Sequence, residues 1–196
     1  MSAAPRAAHG SDASSPSPWL VRWAHLIAPR GSVLDVAAGG GRHARWLALR
    51  GHRVTAVDRD GDAMAALAGV ADAISADIEN GAWPLAGRSF DAVVVTNYLW
   101  RPLFPALRAA LAPGGVLLYE TFASGNETVG RPRRPDFLLA RGELLTAAEG
   151  LRIVAYEDGF LADPDRFVQR LAAARAGADD RAQRYPLAPG TGDGEG

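Results

Sequence analysis

The stretch from Val33 to Asp58 constrains the fold more than any other part of the chain. It reads VLDVAAGGGRHARWLALRGHRVTAVD, and its first four residues form an apolar run typical of a buried parallel strand. Five small residues at 37–41 are followed at 42–50 by alanines and leucines at helical spacing, up to a glycine that suits a helix end. A second apolar run leads to Asp58. The stretch therefore predicts a strand–helix–strand unit whose bare turn lies where open α/β sheets bind ligands.

The rest of the chain continues this alternation of strand and helix. Apolar runs predict further strands at 73–76, 90–95, 116–121 and 151–158, and helical spacing predicts helices at 19–28, 60–67, 102–111 and 142–148. Four polar residues stand at or near the ends of successive strands, namely Asp35, Asp58, Asp77 and Asn97. Their spacings of 23, 19 and 20 residues match a repeating strand–helix unit and predict that they share one edge of the sheet.

Composition excludes several classes of function. The net charge of −1 provides no basic field for nucleic acid or anionic membranes, and no apolar run is long enough to span a bilayer. The chain has no cysteine, and its four histidines lack metal-ligand spacing, so neither disulfides nor a metal site is expected. No secretory signal precedes the first helix. The sequence predicts a cytoplasmic protein with a disordered tail at 1–16, one domain at 17–185 and a mobile tail at 186–196.

Two ligands fit the glycine turn. Gly39-x-Gly41-x-x-Ala44 matches the dinucleotide fingerprint, which would place a pyrophosphate at the start of the following helix and Asp58 on a ribose. We expect Asp35, just before the turn, to repel that pyrophosphate. S-adenosylmethionine (AdoMet) carries no phosphate, and its ammonium, ribose hydroxyls and adenine amino group would each suit an acid. The strand-end acids therefore favour AdoMet over a nicotinamide cofactor.

The same residues resemble class I AdoMet-dependent methyltransferases. That family has the pattern acid-x-Gly-x-Gly-x-Gly, and this chain has Asp35 to Gly41 with Ala37 in place of the first glycine. SFDAVVVTNYL resembles the family's fourth strand, and LAPGGVLLYETF resembles its turn into the fifth. The resemblance covers about 19–158, and GGGRHARWLALRGHRVTAVD is most similar to bacterial small-molecule methyltransferases of the tellurite-resistance type.

The resemblance implies both a fold and a cofactor site. The implied fold is α/β and Rossmann-like: a seven-stranded, mostly parallel sheet with an antiparallel last strand and helices on both faces. For this reason the alanine-rich segment 167–175 is predicted to be that last strand, although its helix propensity is high. Ten positions are expected to contact AdoMet, and later its product S-adenosylhomocysteine: Asp35, Ala37, Gly39, Gly41, Arg42, Asp58, Arg59, Asp77, Ile78 and Asn97.

Some of these roles have plainer alternatives. Asp35 could cap backbone amides and Asp58 could cap a helix, while Arg42 and Arg59 could be solvent-exposed instead of meeting the methionine carboxylate and the adenine. His43 is expected to be packed or exposed, not catalytic.

The methyl acceptor is less constrained than the cofactor. Residues after the fourth and fifth strands should face the methyl group, and Tyr98 and Glu120 are the candidate catalytic residues. The candidate substrate-binding residues are Tyr98, Trp100, Phe122, Arg131 and Arg134. The aromatic residues could instead pack in the core, Glu120 could pair with an arginine, and the arginines could be solvated. We expect a small-molecule acceptor, the alternatives being a non-catalytic AdoMet-binding module or, less favoured, an NAD(P)-binding oxidoreductase.

Overall fold

The structure, a computed structural model, describes residues 15–177 and 183–188. Most of the tails predicted at 1–16 and 186–196 therefore lie outside the described residues. Ser15 and Pro16 are described, and they pack against the domain, since the Ser15 carbonyl accepts a hydrogen bond from Arg42 Nη1 at 3.3 Å. Pro186 likewise lies against the domain, with its carbonyl 3.0 Å from His25 Nε2.

Seven strands form one sheet in the order β3-β2-β1-β4-β5-β7-β6. The strands are β1 Ser32–Val36, β2 Arg53–Asp58, β3 Asp72–Ser75, β4 Phe90–Thr96, β5 Leu111–Phe122, β6 Arg152–Leu161 and β7 Arg166–Ala174. The first five pair in parallel, while β7 runs antiparallel to both β5 and β6. The predicted α/β class and the mostly parallel seven-stranded sheet are confirmed.

Helices cover both faces of the sheet. They are α1 Pro18–Trp23, α2 Arg42–Leu49, α3 Gly61–Ala65, α4 Phe104–Ala109 and α5 Glu143–Ala147. One apolar cluster joins α1, α2 and α3 to one face of the sheet, and a second joins α4 and α5 to the other. Because parallel strands are buried on both faces, β1 and β4 read as continuous apolar runs and not as alternating ones.

Two predicted helices are shorter in the structure, and one predicted strand is confirmed against its helix propensity. The helix predicted at 19–28 is α-helical only to Trp23 and continues as a 3-10 turn at Ala24–Leu26, after which Ile27 is extended. The helix predicted at 102–111 is a 3-10 turn followed by α4, and Leu111 pairs with Phe90 as the start of β5. The strand predicted at 167–175 is confirmed as β7, since burial between two neighbouring strands outweighs helix propensity.

The sheet order places the ends of β1, β2, β3 and β4 along one edge. The order of the strands reverses between β1 and β4, and ligands bind at this point in open α/β folds. Among the described residues no helix has the length and apolarity needed to cross a bilayer. The described residues likewise contain no group of three or more histidine and acidic side chains that could hold a metal ion.

Candidate functional site

The turn between β1 and α2 is held open by backbone conformation and by β2. Ala37, Gly39 and Gly41 all have positive φ, at 53°, 53° and 74°. The N–H of Ala38 donates to the Val57 carbonyl at 3.1 Å, and the N–H of Gly39 donates to Asp58 Oδ2 at 2.8 Å. The turn is therefore fixed to the end of β2. Ala37 adopts the left-handed conformation that the glycine of the family pattern adopts without strain.

The glycines of this turn have two different tasks. A Cβ built on Gly39 or Gly40 would meet no atom within 4 Å, so their backbone borders open space. A Cβ on Gly41 would instead lie 2.5 Å from Leu67, so this glycine allows α2 to pack closely against the chain after α3. The bare surface of Gly39 and Gly40 is a cradle that a ligand can approach closely.

A long groove of about 620 Å³ runs along the strand ends beside this turn. We call it the long groove. Its charged side chains are four acids and one arginine, namely Asp58, Asp60, Asp77, Glu79 and Arg59. Its other lining residues are Ala37, Gly39, Gly40, Ala63, Ala76, Ile78, Asn97, Tyr98 and Phe137. This excess of negative charge opposes two phosphates and suits an uncharged nucleoside.

Two further cavities continue from the long groove. The loop pocket, about 410 Å³, shares Ala37, Gly39, Gly40 and Asn97 with the groove and adds Arg42 and Arg45. The polar chamber, about 810 Å³, shares Arg42 and Asn97 with the loop pocket. The polar chamber is formed by 15–18, by the loop after β5 and by the turn before β7. Asn97 lines all three cavities, so they lie side by side at the carboxyl ends of the strands.

Asp58 and Asp77 each organise the backbone at a strand end. Asp58 Oδ1 accepts from the N–H of Asp60 at 2.9 Å, in addition to the Gly39 bond to Oδ2. The cap of α3 is Asp60, whose side chain accepts from the Ala63 N–H, so Asp58 is not the helix cap. Asp77 accepts from Asn80 Nδ2 and from the N–H groups of Glu79 and Asn80, and these bonds lower its pKa. Both carboxylates are fixed in the long groove.

Asp35 does not face the ligand cavities, although its place in the motif predicts a contact with the ligand. Its side chain is 1% exposed and points beneath α2, and it belongs to the lining of neither the long groove nor the loop pocket. Burial raises its pKa to about 7, against opposition from the Ala44 N–H and from Arg42. Asp35 therefore lies behind the turn and not on the surface that a pyrophosphate would contact. The acids that face the long groove are Asp58, Asp60, Asp77 and Glu79.

His43 is the neighbour of Asp35. Its Nε2 accepts a hydrogen bond from the Ser17 N–H at 3.1 Å, which leaves the ring proton on Nδ1, 3.9 Å from Asp35 Oδ1. Burial and then the charge of Arg42 lower the pKa of His43 to about 4. A neutral imidazole thus links α1 to the base of the glycine turn, and His43 is packed, as predicted.

Asp35 and His43 should have opposite effects on the pH dependence of stability. From its ordinary value of 3.8, the pKa of Asp35 rises on folding, so its contribution is lost as pH rises from about 4 to 7. From 6.5, the pKa of His43 falls on folding, so its contribution grows between about pH 4 and 6.5. In His43→Gln we expect the free energy of unfolding, relative to wild type, to fall by roughly 1 kcal/mol per pH unit over that window.

Urea unfolding at several pH values measures this difference. Asp35→Asn serves as the matched variant, because it removes the opposing group and should give a slope of opposite sign. Parallel pH curves for wild type and both variants would contradict the assignment of the two shifted groups.

Glu120 and Tyr98 line different cavities. Glu120 is 2% exposed and lines the polar chamber. Its Oε1 accepts from Ser17 Oγ at 3.0 Å, and its Oε2 lies 3.6 Å from Arg170 Nη1. Tyr98 lines the long groove, where burial and then the negative charge of Glu79 raise the pKa of its phenol. The arginine partner predicted as an alternative for Glu120 is therefore present.

The other acceptor-side candidates divide into two groups. Phe122 and Arg131 line the polar chamber. Trp100 packs against the core cluster on the α4 side, and Arg134 pairs with Asp136 at 2.7 Å on the surface, so neither lines the three cavities. Sequence reasoning missed Ser17, Glu79, Phe137 and Arg166 as lining residues. Of these, Glu79 had a usable signal, since it stands two residues after a strand-end acid.

Comparison with known proteins agrees with this geometry. A family described as "Methyltransferase domain" matches residues 33–115. No curated protein matches the chain by sequence.

Three solved structures share the fold. TehB from Haemophilus influenzae is 20% identical with a TM-score of 0.65, and the match covers 78% of this chain and 59% of TehB. This chain thus spans less than two thirds of the length of TehB. A TehB-like AdoMet-dependent methyltransferase from Corynebacterium glutamicum is 22% identical with a TM-score of 0.55, covering 78% and 86%. The N-methyltransferase NodS from Bradyrhizobium japonicum is 21% identical with a TM-score of 0.59, covering 79% and 92%.

The matched segment contains the glycine turn, the strand-end acids and the start of β5, which together build the long groove and the loop pocket. At these identities the structural likeness establishes the fold, and the match to the family is confined to residues 33–115. The sheet order, the cradle of bare glycines and the family match lead to one conclusion. Residues 33–115 match a methyltransferase domain, and the chain has the fold of the AdoMet-dependent methyltransferases to which it is similar.

Proposed function

We propose that the chain transfers the methyl group of AdoMet to a heteroatom of a small-molecule acceptor. The observation that carries this proposal is that the loop pocket and the polar chamber lie side by side at the strand ends and share Arg42 and Asn97. AdoMet supplies a methyl group on a positively charged sulfur, which leaves as a neutral thioether. The chain's own contribution is then to position two molecules and to exclude water.

The residues of the long groove and the loop pocket suit the parts of AdoMet. Asp58 would accept both ribose hydroxyls, and Asp77 with Ile78 would contact the adenine, as the family resemblance implies. Arg42, in the loop pocket, would pair with the methionine carboxylate. Gly39 and Gly40 would allow close approach of the ligand to the backbone. Asp35, buried beneath α2, would contribute indirectly by keeping His43 and the start of α2 in position.

The polar chamber is the proposed acceptor site. Its position beside Asn97 and Glu120 favours a molecule small enough to be enclosed between 15–18 and the loop after β5. Glu120, whose backbone carbonyl accepts from the Asn97 N–H at 2.8 Å, is the candidate proton acceptor for a nucleophile that arrives protonated. The net charge of −1 disfavours nucleic acid as the acceptor.

Calorimetric titration tests the proposed cofactor. We expect S-adenosylhomocysteine and AdoMet each to bind with one-to-one stoichiometry and NADH to give no heat of binding. Methyl transfer from AdoMet labelled on the methyl group, screened against thiols, amines, hydroxy compounds and carboxylates, then tests the reaction. Binding of NADH without binding of S-adenosylhomocysteine would overturn the assignment, and cofactor binding without transfer to any acceptor would favour a non-catalytic module.

A further inference from the structure

The polar chamber contains a buried carboxylate that is only partly paired. Glu120 Oε1 is satisfied by Ser17, but Oε2 accepts no hydrogen bond from the residues that the structure describes. Arg170 faces Oε2 at 3.6 Å, beyond hydrogen-bonding distance, and its guanidinium also bonds Glu157. A buried acceptor of this kind is costly unless a donor completes it. The chamber therefore has a place for an N–H or O–H group at Glu120.

Guanidinium groups line the same chamber. Arg166, at the start of β7, has a buried Nε that donates to no atom of the described part of the chain. Arg131, on the loop after β5, lines the chamber and is exposed. Apart from Glu120, the acid in the lining is Asp165, which is exposed. Two arginines with free donors in a partly enclosed site are a common arrangement for binding a carboxylate or similar anion.

The sheet register places the Glu120 carboxylate and the Arg166 guanidinium, the two poles of the chamber, apart from each other. Glu120 pairs with Arg170, and Phe122 pairs with Val168 two residues further along. Arg166 follows after two more residues on the same face of β7, so it stands roughly 13 Å from the Glu120 end at about 3.4 Å per residue. Phe122 lies between the poles and lines the chamber with an apolar ring. Along the paired strands β5 and β7 the chamber thus presents the carboxylate of Glu120, then the apolar ring of Phe122, then the guanidinium of Arg166.

We propose that the acceptor is a bipolar small molecule. It carries an amino or hydroxyl nucleophile at Glu120, an apolar middle against Phe122, and an anionic group at Arg166 and Arg131. This inference rests on the proposed methyltransferase function. In the transfer, the nucleophile's lone pair forms the bond to the methyl carbon, the electrons of the carbon–sulfur bond remain on sulfur, and the nucleophile's proton passes to Glu120 Oε2.

Matched compounds test the two poles separately. The probes are 4-hydroxyphenylacetate and 4-aminophenylacetate, their methyl esters, which lack the anion, and 4-methoxyphenylacetate, which lacks the donor. With the protein saturated by S-adenosylhomocysteine, we expect each acid to bind at least about 10-fold tighter than its ester, and the hydroxy acid about 10-fold tighter than its ether. Equal affinities for acid and ester, or for hydroxy acid and ether, would overturn the proposal.

Two variants locate the poles. Arg166→Gln should bring the ratio of acid to ester affinity close to one, whereas Arg141→Gln, an exposed arginine outside the chamber, should keep the wild-type ratio. Glu120→Gln keeps the shape of the side chain and one acceptor oxygen but loses the negative charge, and should reduce the preference for the hydroxy acid over its ether. A wild-type ratio in Arg166→Gln or Glu120→Gln would overturn the corresponding pole.

Binding of S-adenosylhomocysteine distinguishes a failure of the proposed methyltransferase function from a failure of the bipolar acceptor. If it fails in wild type, the proposed function fails. If it succeeds while the probes show no preference for either pole, only the bipolar acceptor fails.

Discussion

Replacing Asp58 by alanine should weaken binding of S-adenosylhomocysteine at least about 100-fold. The substitution removes the proposed acceptor of both ribose hydroxyls, and hydrogen bonds to a charged group contribute about 1.5–3 kcal/mol each. It also frees the N–H groups of Gly39 and Asp60, which Asp58 holds at 2.8 and 2.9 Å, so the turn loses its attachment to β2. Calorimetric titration of each variant with S-adenosylhomocysteine measures the loss.

Two further variants make this result specific. Asp58→Asn keeps one acceptor oxygen and should lie between wild type and alanine in affinity. Asp62→Ala removes an exposed acid from the first turn of α3, outside the long groove, and should bind S-adenosylhomocysteine as wild type does. Thermal unfolding of all three shows whether the fold is kept. An affinity of Asp58→Ala within about threefold of wild type would contradict the proposed ribose contact.

The strand-end acids could be predicted because they follow from local order. A parallel strand–helix repeat brings successive strand ends to one edge, so Asp58, Asp77 and Asn97 had to lie together. The direction of Asp35 could not be predicted in this way. Alternation along β1 sets Asp35 opposite to Leu34 and Val36, but only the packed structure decides that its face is covered by α2.

The polar chamber was harder to predict, because distant segments build it. The hydrogen bond from Ser17 to Glu120 joins residues 103 positions apart. Arg166 lines the chamber from the start of β7, a strand whose composition favours a helix. Phe122 and Arg131 were identified because they follow β5 directly. Arg134, three residues further on, instead pairs with Asp136, since the loop turns its side chain toward solvent. Local spacing carries no information about such turns.

Replacing Gly41 by alanine should destabilise the protein by about 2–4 kcal/mol. The left-handed backbone at φ 74° costs an L-residue about 1–2 kcal/mol. The new Cβ would also lie 2.5 Å from Leu67 Cδ2. Leu67 is fully buried, so it cannot move aside without straining its neighbours, and overpacking of this kind costs about 1–3 kcal/mol. Urea unfolding gives the free energy of unfolding directly.

Gly51 provides the matched control for this prediction, because it isolates the backbone cost from the contact with Leu67. Its φ is 83°, close to that of Gly41, but a Cβ there would meet nothing within 4 Å. Gly51→Ala should therefore lower the free energy of unfolding by only about 1 kcal/mol. The loss of conformational entropy in the unfolded chain is the same in both variants, so it does not affect the comparison. Adding Leu67→Ala to Gly41→Ala should cost less than the sum of the two single changes, because the larger side chain is the obstacle. Equal losses in Gly41→Ala and Gly51→Ala, with additive effects in the double variant, would mean that close packing of the turn against Leu67 does not set the position of α2.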